Sequence, residues 1–72
     1  MENEMDLKEK IGTEVKKRRL ALNMEQVDLQ DYAEVGSTTL SKLEQGKANV
    51  TLETLEKIFE VLGLEIVVKV KG

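Results

Sequence analysis

The sequence has 72 residues, of which 35% are charged and 40% hydrophobic, with a formal net charge of −3 and neither Cys nor His. This composition predicts one small globular domain and excludes a disulfide framework and thiolate or imidazole metal sites. It also lacks the usual nucleophile–base pairs and any Gly-rich phosphate loop, so we expect neither an enzyme nor a cofactor. No apolar run approaches the roughly 18 residues of a membrane span and the N-terminus is acidic, so we expect a cytoplasmic protein without membrane partners.

Apolar residues that recur about every 3.6 positions predict four helices. Asp6 and Thr51 are expected to cap the first and the fourth of them. Asn23, Gly46 and Gly63 are residue types that adopt the left-handed conformation in which helices end. The predicted helices cover residues 6–22, with Leu7, Ile11, Val15 and Leu22 on the apolar face, and residues 25–33, 37–45 and 52–62.

The C-terminal segment 64–70 is rich in β-branched residues and largely alternating, which predicts a strand. A lone strand needs a partner for its backbone groups, and the composition of residues 1–5 disfavours a strand there. We therefore expect the strand to pair with its copy in a second chain, as two-fold symmetry allows. The face that should pack on the helices, near Leu62 and Phe59, comprises Leu64, Ile66, Val68 and Val70.

The predicted fold class is all-α, a small four-helix bundle whose single C-terminal β-strand pairs across a homodimer. Residues 1–10 would form an N-terminal extension and the start of the first helix. Residues 11–63 would form the helical domain, and residues 64–72 the dimerisation strand.

The second and third predicted helices are joined by a three-residue turn, Glu34-Val35-Gly36. Such a turn orients the second helix of the pair so that it protrudes, and a protruding helix fits the major groove of DNA. The string from Thr39 through Leu55, with Gln26-Val27-Asp28-Leu29 before it, closely resembles the lambda-repressor-like, xenobiotic-response-element (XRE) family of helix-turn-helix proteins. The resemblance covers about residues 11–64. It implies double-stranded DNA as the partner and a homodimeric transcriptional regulator, expected to be a repressor, on a palindromic operator.

The resemblance also assigns roles to individual residues. Hydroxyl and ammonium groups at the start and on the outer face of the third helix would read base edges, and a second set of polar side chains would bind phosphates. Arg19 and Glu44 would form a structural ion pair between the first and third helices. The base-contacting residues would be Ser37, Thr38, Ser41 and Lys42, and the phosphate-contacting residues Gln26, Lys47, Asn49 and Arg19.

Two residues of the turn depart from the family pattern. Glu34 stands where the family has Gly, although a positive φ is unfavourable for a residue with a Cβ. Gly36 stands where the family has a Ser that would cap the third helix. With further departures nearby, they predict an irregular turn and modest DNA affinity.

The C-terminal strand directly after such a domain also resembles the HipB-type antitoxins. That narrower resemblance implies a kinase-fold toxin as a further partner. It leaves an alternative function open, a protein-interaction module whose main task is to bind the toxin. The polar, non-acidic face of the third helix favours DNA over this alternative.

Overall fold

The four predicted helices are all present in a computed structural model, which describes residues 6–71. Their bounds lie within one residue of the predicted ones, and the all-helical class is confirmed. The residues 1–5 of the predicted extension and residue 72 of the predicted strand lie outside the described residues. The helices are α1 (Leu7–Ala21), α2 (Gln26–Ala33), α3 (Ser37–Glu44) and α4 (Leu52–Leu62).

Side-chain caps fix where α1 and α4 begin. Asp6 accepts a hydrogen bond from the Glu9 amide at 2.9 Å, and the Asp6 amide donates to the Glu9 carboxylate at 3.1 Å. This reciprocal pair is a capping box. At α4 the Thr51 hydroxyl accepts from the Thr54 amide at 3.0 Å. Both predicted N-caps are therefore confirmed.

Left-handed residues end the helices or follow their ends. Asn23 has φ 57° just after α1, and Gly63 has φ 71° as the C-cap of α4. Gly46, at φ 77°, comes one residue after Gln45, which is the C-cap of α3. Glu34 has φ 58° and ends α2, so the residue that replaces the usual Gly carries the backbone strain that its position predicts.

The core lies where α3 and α4 meet α1 and α2. The prediction that Leu7 and Leu22 belong to it is wrong, because their exposed fractions are 70% and 40%. At 1.5 Å per residue, α1 with its 15 residues is longer than α3 and α4, with 8 and 11, so its ends project past them. The buried apolar residues are Val15, Leu29, Ala33, Leu40, Leu43, Leu55, Ile58, Phe59 and Leu62.

A backbone contact brings α1 close to the end of α3. Gly12 is buried, and a Cβ atom there would collide with the carbonyl oxygen of Leu43 and lie 3.1 Å from the Gly46 amide nitrogen. Only a residue without a Cβ allows this approach.

The C-terminal strand is not present in the single chain, and its pairing across a dimer stays a prediction. Residues 64–71 have no regular secondary structure. Leu64 is partly buried against the core, but Val68 and Val70 are 90% and 97% exposed rather than packed on the helices. A strand is defined by its ladder of hydrogen bonds, and residues 6–71 contain no second strand that could complete one.

Candidate nucleic-acid interface

The turn between α2 and α3 places the start of α3 at the surface. The Val35 amide donates to the Gln30 carbonyl at 3.0 Å, which closes the end of α2 around the left-handed Glu34. Gly36 then serves as the N-cap of α3 in extended conformation. The turn is thus an ordinary left-handed helix end, more regular than its departures from the family pattern suggest.

One shallow, open recess collects the polar side chains of the helix pair. All four residues expected to read bases line it, together with one of those expected to contact phosphates. Ser37, Thr38 and Lys42 are exposed and Ser41 is half-buried. The residues that line the recess are Gln26, Ser37, Thr38, Ser41, Lys42 and Gln45.

The hydroxyls of Ser37 and Thr38, at the start of α3, make no capping hydrogen bond. Ser37 and Thr38 are the first two residues of the helix, whose N-cap Gly36 makes no side-chain hydrogen bond. A hydroxyl both donates and accepts, so each can address several base edges.

Gln45 belongs to this surface and was missed by the sequence analysis. Its side-chain amide donates to the Ser41 hydroxyl at 3.2 Å, which orients that hydroxyl from one helical turn away. The i, i+4 spacing of Ser41 and Gln45 was the available signal. The family pattern drew attention to the first turns of the helix instead.

Arg19 and Glu44 form a buried, bidentate ion pair between α1 and α3. The Arg19 Nε and Nη2 atoms donate to the two carboxylate oxygens of Glu44 at 2.7 and 2.9 Å, and Nη1 donates to the Met24 carbonyl at 2.8 Å. The hydrogen bonds that Arg19 donates to Glu44 raise the pKa of Arg19; burial opposes this, and the negative charge of Glu44 adds to it. Because the Arg19 side chain is only 8% exposed, little of it remains for a phosphate.

Gln26 connects this pair to the surface. Its Nε2 donates to Glu44 at 3.1 Å, so the first residue of α2 is tied to the last residue of α3. Gln26 also lines the recess. Its remaining amide hydrogen and its carbonyl oxygen are the groups that could meet a phosphate.

Lys47 and Asn49 lie beyond α3, in the loop that leads to α4. Both side chains are exposed. The Lys47 amide donates to the Lys42 carbonyl at 2.9 Å, so the backbone of Lys47 is fixed relative to α3. The first amides of α4 follow directly after the Thr51 cap, and amides at such a position attract anions.

Arg18 has a structural role that sequence reasoning missed. Its Nε donates to the Leu62 carbonyl at 2.8 Å and thereby holds the end of α4. Neighbouring Lys17 makes only an exposed contact with Glu14, at 3.6 Å. Residues 16–19 of α1 are all basic but differ in their surroundings. Arg19 is buried, Arg18 is bonded to Leu62, and the two lysines face solvent. No periodic signal distinguishes them, since their roles depend on which helix lies opposite.

Within residues 6–71, no cluster of three or more acidic, Cys or His side chains is arranged to hold a metal ion. None of the helices over the same residues is long and apolar enough to cross a membrane.

The geometry agrees with comparisons with known proteins. The profile of the family HTH_3, described as helix-turn-helix, matches residues 15–68. The chain belongs to this helix-turn-helix family. The match confirms the XRE-type resemblance predicted from the motif between Gln26 and Leu55.

Solved structures of similar proteins point the same way. The wild-type restriction-modification controller protein C.Esp1396I is 32% identical with a TM-score of 0.76, over 86% of this chain and 82% of that one. The same values describe C.Esp1396I bound to a 25 base pair operator site. A structure named MDT protein has a TM-score of 0.79 over 99% of this chain and 100% of that one, at 21% identity, and shows the fold alone. No curated protein matched the sequence. The narrower resemblance to antitoxins stays a prediction.

Proposed function

We propose that this protein is a sequence-specific DNA-binding transcriptional regulator. The observation that carries the proposal is the recess on α3, where Ser37, Thr38, Ser41 and Lys42 lie together on an exposed surface. None of the six residues that line it is acidic, and the one carboxylate at the end of α3, Glu44, is neutralised by Arg19. The family membership and the operator-bound relative support the same conclusion.

Each side of this surface has a distinct role in the proposal. The side chains of α3 enter the major groove, where Lys42 donates to guanine O6 and N7 and the hydroxyls contact neighbouring bases. Gln26, Lys47 and Asn49 contact phosphates. Lys47 and Asn49 do so near the start of α4, and Gln26 at the start of α2. Phosphate contacts fix the register of the protein on DNA, whereas only the α3 contacts carry sequence information.

The regulator acts as a homodimer on a palindromic operator. A single α3 of eight residues reads too few base pairs to select a site in a genome. The exposed apolar side chains of the C-terminal segment support a second copy as the partner, through pairing of the segments that carry Leu64, Ile66, Val68 and Val70. Half-sites of the operator would lie about one turn of DNA, roughly 34–36 Å, apart. Where the operator overlaps a promoter, occupancy represses transcription.

Two lysine variants test the assignment of roles. Lys42→Ala should weaken binding to the operator more than binding to random duplex. Lys47→Ala should weaken both equally and make the dependence of log affinity on log salt shallower by about 1. Lys57→Ala is the matched control, since Lys57 is exposed on α4 and does not line the recess.

The operator itself is found by selection from a random duplex library, followed by fluorescence anisotropy at several salt concentrations. If Lys42→Ala leaves the ratio of specific to random affinity unchanged, Lys42 does not read bases. If the unmodified protein selects no sequence above random, the proposed function is wrong.

A further inference from the structure

The C-terminal segment has two unmet requirements in the single chain. Within residues 6–71, the last backbone hydrogen bond toward the C-terminus is the one from the Leu64 amide to Phe59, so the backbone from Glu65 onward is unpaired. Four apolar side chains between Ile66 and Val70 are also more than half exposed. Unpaired backbone and exposed β-branched side chains together define a surface that another strand would cover.

The sequence of the segment carries the period of two that strand pairing needs. Leu64, Ile66 and Val68 line a groove of about 550 Å³ beside α4, with Leu52 and Phe59 on its other side. Glu65 lines the same groove, so the alternation of faces belongs to the extended, paired segment and not to the single chain. A partner strand must place its apolar residues on that same face.

We infer that the occupant is the same segment of a second copy, held in one register in which Val67 lies opposite its own counterpart. This inference rests on the proposed homodimer and specifies its interface. Two-fold symmetry makes the pairing antiparallel, and the alternation of faces allows only registers centred on a residue rather than between two residues.

The apolar residues favour the Val67-centred register. It places Leu64 opposite Val70 and Ile66 opposite Val68, each twice, so that all four apolar residues of this alternating set meet apolar partners. A register centred on Val68 leaves Leu64 opposite Gly72, which has no side chain, and one centred on Ile66 leaves Val70 opposite the last turn of α4. Both alternatives bury less apolar surface.

Charge pairing on the opposite face is compatible with the Val67-centred register and disfavours the Ile66-centred one. With Val67 at the centre, Glu65 lies opposite Lys69 on both sides of the symmetry axis. A register centred on Val68 would instead pair Glu65 with Lys71 and set Lys69 against an apolar residue. The Ile66-centred register sets Glu65 against Val67. Opposite charges directly across a ladder stabilise it, and like charges destabilise it.

The absence of Cys from the chain allows a direct test. Single variants of the full chain, Val67→Cys, Ile66→Cys and Val68→Cys, are oxidised with oxidised glutathione, and covalent dimer is followed on non-reducing gels. Directly opposite Cβ atoms approach within about 5 Å, whereas diagonal ones are about 7–8 Å apart, too far for a disulfide. We expect Val67→Cys to cross-link at least about tenfold faster than the other two.

Charge exchange gives an independent readout in the dimer dissociation constant. Glu65→Lys and Lys69→Glu should each weaken the dimer about threefold to thirtyfold, and the double variant should recover to within about twofold. Glu65→Lys with Lys71→Glu is the matched control and should not recover. Circular dichroism checks that the helices of every variant remain folded.

The outcomes separate the register from the dimer itself. Fastest cross-linking by Ile66→Cys or Val68→Cys, or rescue by Lys71→Glu, overturns the register while the homodimer stands. Sedimentation of the unmodified chain as a monomer at micromolar concentration overturns the proposed homodimer and the register with it.

Discussion

Breaking the Arg19–Glu44 pair should remove a large part of the stability of the domain. The two side chains are only 8% and 4% exposed, and their bidentate contact is supplemented by hydrogen bonds to Met24 and from Gln26. Glu44→Gln keeps the shape but replaces one acceptor with an amide that faces an Arg19 donor. The guanidinium then stays buried without its counter-charge, since burial alone does not bring an arginine to release its proton.

The expected loss is about 3–5 kcal/mol, the range for removing one partner of a buried pair. A chain of this length has a total stability of about 4–11 kcal/mol, so the variant should be near its unfolding threshold at room temperature. Arg19→Met should lose a similar amount by stranding the Glu44 carboxylate. The double variant Arg19→Met with Glu44→Leu should recover much of the loss, because it strands neither charge.

Urea unfolding followed by circular dichroism measures these differences. The matched control is Glu14→Gln, which breaks the Lys17–Glu14 contact at 3.6 Å, where the side chains are 68% and 60% exposed. That change should cost less than about 0.5 kcal/mol. A loss below about 1 kcal/mol for Glu44→Gln, or a double variant whose loss is the sum of the singles, would refute the argument from burial.

Three further changes test the backbone. Glu34→Gly should stabilise the domain by about 1 kcal/mol because it relieves a positive φ, and an unchanged urea midpoint would contradict this. Gly12→Ala should destabilise it by about 1–3 kcal/mol, because the new Cβ meets the Leu43 carbonyl, and a thermal melt that does not move would show that α1 can withdraw at no cost. Thr51→Ala should cost about 1 kcal/mol by removing the cap on the Thr54 amide, and Thr51→Ser should retain most of it, both read from urea midpoints.

The helices could be predicted because their limits are local. Asp6 and Thr51 cap through the residue three positions on, and Gly63 ends α4 by its own conformation. The exposure of Leu7 could not be predicted, since periodicity shows which residues share a face but not how far the neighbouring helices extend along it. The strand does not form in the single chain for a related reason: alternation indicates a tendency, whereas a strand also needs a partner that the single chain does not contain.

The candidate site was predictable where one motif carries it and not where several elements meet. Lys42 and Thr38 share a face of one helix, so spacing alone brings them together. The link from Gln26 to Glu44 joins residues 18 positions apart, and the clamp from Arg18 to Leu62 joins residues 44 apart. Such contacts depend on tertiary packing, which the helical periodicity of a single segment does not predict.

The close approach of Gly12 to Leu43 has a geometric consequence for recognition. The contact is between main-chain atoms, so no change of side-chain rotamer there can allow α3 to adopt another angle. Six residues separate Leu43 from Ser37, about 9 Å along the helix axis, so a tilt of about 5° at this pivot would displace the far end by about 0.8 Å. That displacement exceeds the spread of good hydrogen-bond lengths, about 0.5 Å. In the proposed complex, Gly12 of α1, which packs against the inner side of α3, therefore fixes the orientation of α3 relative to the base pairs.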